Sequence, residues 1–129
     1  MSQTTIEITA TTYMVLPVGS FEWLVLAVNS SANEPEEARY LTDHFGLSTL
    51  PEGFNPSNVV GRLEIWRDYR GKDWDEYLRG DNLYVAPDHR RRGIATQLCK
   101  TFVNVTGLNF EAGKAQSEVG NKFWKSIGF

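Results

Sequence analysis

The segment from Leu83 to Leu98 constrains the fold of this chain more than any other. It begins with the apolar run Leu83–Val85, continues through Pro87 and three arginines, and reaches Gly93. Four apolar residues then recur at helical spacing and would form one face: Ile94, Leu98, Phe102 and Val105. This pattern predicts a strand, a tight turn and a helix that packs against a sheet.

A glycine turn that opens a helix also predicts an anion site. The first backbone N–H groups of a helix have no intrahelical partner, and the helix dipole places partial positive charge there. Gly93 allows the backbone to approach a ligand closely, and the side chain of Ala95 in the following turn is also small. Arg90, Arg91 and Arg92 add positive charge. We therefore predict that residues 90–96 bind phosphate.

The spacing Arg90-x-x-Gly93-x-Ala95 resembles the acetyl-CoA loop of the GNAT superfamily of N-acetyltransferases, whose pattern is R/Q-x-x-G-x-G/A. A second segment, Phe123–Phe129, is similar to the F-Y-x-x-L-G-F ending of the family's next helix. The resemblance covers about Val59 to Phe129. It implies an α+β fold, with a mixed and mostly antiparallel sheet in which a central parallel pair of strands splays apart, flanked by helices.

The resemblance further implies acetyl-CoA as the acetyl donor and an amine acceptor on a small molecule, peptide or protein. The pantetheine arm would lie between the splayed strands, beside the main chain of one of them, and the main-chain N–H groups of residues 91–96 would surround the pyrophosphate. The residues that the resemblance assigns to acetyl-CoA are Leu83, Tyr84, Val85, Arg90, Arg91, Arg92, Gly93, Ile94, Ala95, Thr96, Ser117 and Trp124.

The chain departs from the family pattern at the catalytic acid. The family places a tyrosine four residues before the glycine of the closing motif, and here Trp124 stands there. An indole N–H is a hydrogen-bond donor that supplies no proton near neutral pH. The asparagine expected earlier is Ser117. Two hypotheses follow: an acetyltransferase slowed by the loss of its acid, and a non-catalytic acyl-CoA-binding or protein-interaction module on the same fold.

Two glutamates are candidates for the base that removes a proton from the amine. Glu111 and Glu64 both fall in predicted strands, where a carboxylate near the sheet split could accept the proton directly or through water. The simpler interpretation of each is an exposed strand glutamate, since a shift of one residue turns a side chain to the opposite face. His44 and His89 are interpreted as surface residues, with His89 near enough to the loop to contact phosphate.

Composition argues against other classes of function. The chain has 13 Lys+Arg against 16 Asp+Glu, so a broad basic surface for nucleic acid is not expected. Neither G-x-x-x-x-G-K-S/T nor G-x-G-x-x-G occurs. Two distant histidines and one cysteine do not form a zinc site, and we predict no metal. Cys99 falls beside the apolar helix face and is predicted to be a buried or half-buried thiol.

The first half of the chain predicts a hairpin, a helix and a strand. Strands are expected over Thr4–Leu16 and Phe21–Val28, separated by a turn at Pro17–Ser20. A helix is expected from Pro35 to Gly46. An alternating strand is expected over Val59–Trp66.

Two further segments are expected to connect these elements. Residues 68–81 are interpreted as a long loop, either a substrate loop for a cationic amine or a solvated excursion anchored by Trp74 and Tyr77. A short strand is expected over Leu108–Glu111.

We expect residues 1–129 to form one cytoplasmic domain, because 129 residues with 41% hydrophobic content suit one core and the apolar run Trp23–Val28 is too short to span a bilayer. The sequence ends at Phe129, where family members continue into two further strands. We therefore expect the N-terminal hairpin, or a second chain in a homodimer, to cover that sheet edge.

Overall fold

The apolar and β-branched segments of the chain form one mixed sheet in the computed structural model, which describes residues 10–20 and 22–113. Over this part of the chain the strands lie in the order β1-β2-β3-β4-β5. The pairs are antiparallel except β4 with β5, which is parallel. The elements are β1 (Thr12–Gly19), β2 (Glu22–Val28), α1 (Pro35–Phe45), β3 (Val59–Arg70), β4 (Asp75–Val85), α2 (Ile94–Thr106) and β5 (Glu111–Ala112). This arrangement confirms the predicted α+β class.

The two helices cover opposite faces of the sheet. Alternate residues of β2 divide between them: Val25 and Ala27 pack in the cluster that α2 covers, and Leu24 and Leu26 in the cluster that includes Leu41 of α1. With both faces covered, residues 59–65 of β3 are all buried, although an alternating strand was expected. Polar side chains of β3 on the α1 face are therefore buried as well.

The close approach of α2 to β3 depends on Gly61. A Cβ atom at this position would lie 2.7 Å from Cγ2 of Ile94 and 3.2 Å from Cδ1 of Leu98. Ile94 is branched at its own Cβ and cannot easily turn away. The missing side chain at Gly61 therefore lets the first turn of α2 rest directly on the sheet, beside the end of β4.

Gly61→Ala is expected to lower the free energy of unfolding by about 1–3 kcal/mol, because an added methyl group must displace Ile94 in a packed core. The measurement is a urea-unfolding midpoint. Gly19→Ala is the matched control, since its added Cβ would meet only the flexible Glu22 side chain, with Oε2 at 3.1 Å. Equal midpoints for the two variants would contradict the account of α2 packing.

The predicted helices form at the expected residues, with one correction to the face of α2. Helix α1 begins at Pro35 and ends before Gly46, which has a left-handed backbone with φ of 66°. Helix α2 begins at Ile94. The prediction that Val105 belongs to its buried face is wrong, because this side chain is 65% exposed. The last fully buried side chain of α2 is Phe102, and Val103 after it is partly buried against the same cluster.

The interpretation of residues 68–81 as a loop is also wrong. Strands β3 and β4 continue as a paired ribbon to Arg70 and Asp75. Complementary charges face each other along this ribbon, as in the 2.8 Å ion pair between Arg67 Nε and Glu76 Oε1. Polar composition indicated a loop, but a two-stranded ribbon outside the core also carries charged side chains on its faces. Trp74, expected to anchor the segment, is 74% exposed in the turn.

The N-terminal hairpin lies at the edge of the sheet opposite β5. Its second strand, β2, pairs with β3, so the expectation that the hairpin covers the edge beyond β5 is wrong. A second chain at that edge stays a prediction. Strand β1 continues through Pro17 to Gly19, so the turn is shorter than expected, and the predicted residues before 10 lie outside the described part. Strand β5 is Glu111–Ala112 and not Leu108–Glu111.

Candidate functional site

The predicted phosphate loop joins the end of β4 to the start of α2. After Val85 the chain makes a short 3-10 turn at Pro87–His89 and reaches Gly93, the residue that caps α2. Arg91 and Gly93 have left-handed backbones, with φ of 64° and 74°. No side chain caps the helix, and a Cβ atom at Gly93 would meet nothing within 4 Å. Within the described residues, the start of α2 is therefore uncapped and uncrowded at Gly93, as an anion site requires.

The arginines of this loop have different surroundings. Arg90 donates from Nε to the carbonyl oxygen of Val85 at 3.1 Å, which holds the loop against the end of β4. Arg91 and Arg92 are exposed, and Ala95 and Thr96 are half-buried in the first turn of α2. The structure thus brings residues 90–96 together at one end of the sheet.

Strand β4 changes direction just before this end. Arg62 lies opposite Tyr84, but Glu64 lies opposite Asp81, so β4 holds one extra residue between these pairs. Asn82 stands in this bulge with φ of 51°. Among the described residues, β5 pairs with β4 only at Arg79 and Gly80. A bulge bends its strand, and residues 83–85 follow it toward the loop.

Glu64 lies beside the bulge and is 2% exposed, which corrects its interpretation as an exposed strand residue. Its Oε2 accepts from the hydroxyl of Tyr40 at 2.7 Å and from Nη1 of Arg62 at 3.1 Å. Its Oε1 accepts from Nδ2 of Asn82 at 3.2 Å. The carboxylate therefore links α1, β3 and β4 on the face opposite α2.

Arg62 is the centre of this buried polar cluster, which we define as Glu37, Tyr40, Arg62, Glu64 and Asn82. Its Nε lies 2.9 Å from Oε1 of Glu37, and its Cζ lies 3.8 Å from the centre of the Tyr40 ring. Burial raises the pKa of Glu37, and the nearby Arg62 opposes this. Burial and the bond to Glu64 raise the pKa of Tyr40 to about 12. The cluster holds two carboxyl groups and one guanidinium.

Sequence reasoning missed Glu37, Tyr40 and Asn82. A signal exists for the first two: Glu37 lies three residues before Tyr40 and four before Leu41 on α1, so these residues share the face that packs on the sheet. A carboxylate on a buried face requires a partner, and Arg62 supplies it. No sequence signal indicates that Asn82 stands in a bulge.

Glu111, the other predicted base, is exposed and far from the loop. It makes a bidentate pair with Arg70, with distances of 2.7 Å and 2.9 Å. This bond lowers the pKa of the Glu111 carboxyl. Glu111 lies opposite Arg79, and the six residues from there to Val85 span about 20 Å of strand. In register, Glu64 therefore lies two residues nearer than Glu111 to the end of β4 that leads into the loop.

The remaining predicted residues have simpler positions. Cys99 is buried, as predicted, and burial raises the pKa of its thiol to about 12. His44 stacks on Tyr40 with ring centres 4.1 Å apart. Ser117 and Trp124 lie outside the described residues. Within the described ranges, no group of three or more His, Cys, Asp or Glu side chains is arranged to hold a metal ion. In the same ranges, neither α-helix has the length and apolar character needed to cross a membrane.

Solved structures provide the first comparison. This fold is similar to a transcriptional regulator from Bacillus halodurans C-125, with a TM-score of 0.50 and 13% identity over 86% of this chain and 61% of that one. A ribosomal-protein-alanine N-acetyltransferase from Brucella melitensis biovar Abortus 2308 has a TM-score of 0.47 and 16% identity over 86% and 64%. An aminoglycoside acetyltransferase from an uncultured soil metagenomic sample has a TM-score of 0.48 and 19% identity, over 85% of this chain and 60% of that one.

At these identities the likeness concerns the fold alone, and the chain spans between 60% and 64% of the length of these structures. Comparison with curated protein sequences gives no match. The family model of the acetyltransferase (GNAT) domain matches residues 54–129, more than half of the chain. This match includes β3, the bulged β4, the phosphate loop and α2, and on this evidence the chain belongs to the GNAT acetyltransferase family.

Proposed function

We propose that this chain is an N-acetyltransferase that moves an acetyl group from acetyl-CoA to an amine acceptor. The observation that carries the proposal is the uncapped N-terminus of α2 behind Gly93, which follows directly after the bulged strand β4. The family supports acyl transfer in general. The donor and the class of acceptor are inferred from the site.

The loop residues fit the phosphates of acetyl-CoA. The main-chain N–H groups of residues 91–96 would bind the pyrophosphate, and Arg91 and Arg92 are free to turn toward it from the surface. Leu83, Tyr84 and Val85 would hold the pantetheine arm along the main chain of β4, with Ser117 and Trp124 as further contacts. When bound, acetyl-CoA supplies an acetyl group activated as a thioester.

Glu64 is the better of the two candidate bases. It lies opposite Asp81, two residues before Leu83, whereas Glu111 lies opposite Arg79 and is held by Arg70. The preference rests on position along β4, since an arginine pairs with each of the two carboxylates. A thiol with an intrinsic pKa of about 8.5 is a fair leaving group, so transfer does not depend on a proton from Trp124.

The charges near Tyr84 support a cationic amine as the acceptor. Burial raises the pKa of Tyr84, and the negative charges of Glu34 and Glu37 raise it further. On the α1 side of Tyr84, Glu34, Glu37 and Glu64 outnumber Arg62, while Arg90 on the loop side lowers the pKa of Tyr84. A surplus of carboxylates attracts a protonated amine and favours its approach to the end of β4.

Binding of CoA is the first test. Saturation at about 100 times the dissociation constant is expected to stabilise the protein by about 2.7 kcal/mol in thermal unfolding. Gly93→Asp is expected to weaken binding at least about tenfold, because it places a negative charge beside the helix amides that would bind phosphate. Calorimetric titration with CoA measures the change directly.

Gly107→Asp is the matched control. Gly107 caps the other end of α2 with φ of 70°, close to the 74° of Gly93, and an added Cβ meets nothing within 4 Å at either position. The two variants therefore carry similar backbone strain, and only Gly93→Asp should lose affinity for CoA. Equal affinity for CoA in both variants would show that the start of α2 does not bind the phosphates of CoA.

Release of CoA across a panel of amines separates the two hypotheses about activity. An acetyltransferase releases CoA from acetyl-CoA only when an acceptor is present. The alternative is a non-catalytic acyl-CoA-binding module, because Trp124 stands where the family has its catalytic tyrosine. Such a module binds CoA tightly and shows no acceptor-dependent release.

A further inference from the structure

We infer that Tyr40 and Arg62 are positioning residues that occupy one oxygen of Glu64 and leave the other, Oε1, to accept the proton of the acceptor amine. The inference rests on the proposed function. It adds α1 to the catalytic apparatus, since Tyr40 lies in that helix and reaches the carboxylate across the face of the sheet.

The two oxygens of Glu64 have different numbers of donors. Oε2 accepts two hydrogen bonds, at 2.7 Å from Tyr40 and 3.1 Å from Arg62. Arg62 is itself held by Glu37 at 2.9 Å and by the ring of Tyr40 at 3.8 Å. Both donors are therefore held in place. Because these two donors occupy Oε2, this oxygen is not available to accept a proton from a substrate.

Among the residues that the structure describes, Oε1 has one donor, the Nδ2 of Asn82, at the longer distance of 3.2 Å. Asn82 is exposed and stands in the bulge of β4, one residue before Leu83. Oε1 therefore faces Asn82, the exposed member of the buried polar cluster, beside the proposed acetyl site.

The proton and the electrons balance in this scheme. The neutral amine nitrogen forms the new amide bond to the acetyl carbon while the carbon–sulfur bond breaks, and the sulfur keeps that electron pair. The proton lost by nitrogen passes to Oε1 of Glu64, directly or through one water, and the departing thiolate takes a proton from solvent. Glu64 then releases its proton to solvent and returns to the ionised form.

The charged and titratable groups around Glu64 come from three elements. Helix α1 contributes Glu37 and Tyr40, and β3 contributes Arg62. Strand β4 contributes Asp81, which lies opposite Glu64 and is paired with Arg79, and Tyr84, whose ring lies 5.6 Å from Arg62. From β2 the neighbour in register is apolar Leu24. The donors that stabilise the ionised carboxylate are thus Tyr40 and Arg62, with Asn82 on the other oxygen.

A double-mutant cycle on kcat/KM tests the inference. Tyr40→Phe is expected to lower kcat/KM about tenfold in the wild-type background, since it removes one hydrogen bond to a charged group. In the Glu64→Gln background the same change is expected to have no further effect, because Tyr40 acts through Glu64. The low-pH limb of the kcat/KM profile should move to higher pH in Tyr40→Phe, because one donor fewer holds the carboxylate in its ionised form.

Tyr77→Phe is the matched control. The Tyr77 hydroxyl also donates to a carboxylate, Asp68 at 3.3 Å, and its ring also lies under an arginine, 4.5 Å from Cζ of Arg70. It lies on the outer ribbon, so its removal should leave both the rate and the pH profile unchanged.

The outcomes separate this inference from the proposed function. Wild-type protein that binds CoA but acetylates no amine overturns both. Active protein in which Tyr40→Phe lowers the rate equally in both backgrounds, or leaves the pH limb in place, overturns the inference and retains the proposed function. Binding of CoA by each variant, measured in parallel, shows that the fold and the phosphate loop are intact.

Discussion

Glu64→Gln is expected to lower kcat/KM for acetyl transfer by about 10²–10⁴-fold, the usual contribution of a general base. Glutamine has nearly the same shape, and its amide oxygen can still accept from Tyr40, but it cannot take up a proton at neutral pH. Arg62 keeps its ion pair with Glu37. The variant should therefore fold and bind CoA while transferring acetyl groups slowly.

The measurement is the initial rate of CoA release at saturating acetyl-CoA, with Glu111→Gln as the control. Glu111 is the same residue type on the same sheet, but it is exposed and paired with Arg70. We expect its replacement to change the rate little, because it lies far from the end of β4. A large loss of rate in Glu111→Gln together with a small loss in Glu64→Gln would show that Glu111 is the base and Glu64 is not.

Arg62→Met is expected to lower the free energy of unfolding by about 3–5 kcal/mol, the usual cost of removing one partner from a buried ion pair. Glu37 is 5% exposed and Glu64 is 2% exposed, so neither carboxylate can recover the lost interaction from water. Methionine fills a similar volume, and the loss therefore reports the charge rather than a cavity. Unfolding in urea at neutral pH measures it.

The loss should depend on pH in a defined direction. Burial holds the pKa of Glu37 above the ordinary value of a glutamate, and Arg62 opposes this shift. A group whose pKa is raised on folding contributes stability below its unfolded pKa, and this contribution is lost as the pH rises through the folded value. Without Arg62, the pKa of Glu37 in the folded protein is higher still. The difference between wild type and Arg62→Met should therefore be small below pH 4.5 and increase toward neutral pH.

Arg79→Met is the matched control for this prediction. Arg79 also pairs with two carboxylates, those of Asp68 and Asp81, but its side chain is 35% exposed where that of Arg62 is 9% exposed. Solvent-exposed ion pairs of this kind contribute at most about 1 kcal/mol to the free energy of unfolding. Similar losses for the two variants would show that burial is not what makes the polar cluster critical.

Local signals in the sequence predicted much of the fold and the loop of the candidate site. Pro35 and Gly46 indicated both ends of α1, because proline suits a helix start and glycine the left-handed residue after its end. Gly93 indicated the start of α2 for a related reason. These effects act within a few residues, and they do not depend on what the rest of the chain does.

The tertiary structure decided the features that depend on which elements meet. Glu64 is a buried, hydrogen-bonded carboxylate only because α1 packs on the face of β3 that carries it, and no spacing along the chain relates Tyr40 to Glu64. The hairpin adds to the β3 side of the sheet rather than to the β5 side, since pairing of β2 with β3 leaves it no other place. The sequence by itself thus determined the helix ends and the glycine turn before α2, where the physics is local. Packing of distant segments determined the buried polar cluster, because burial and paired charges exist only after the helix and the sheet come together.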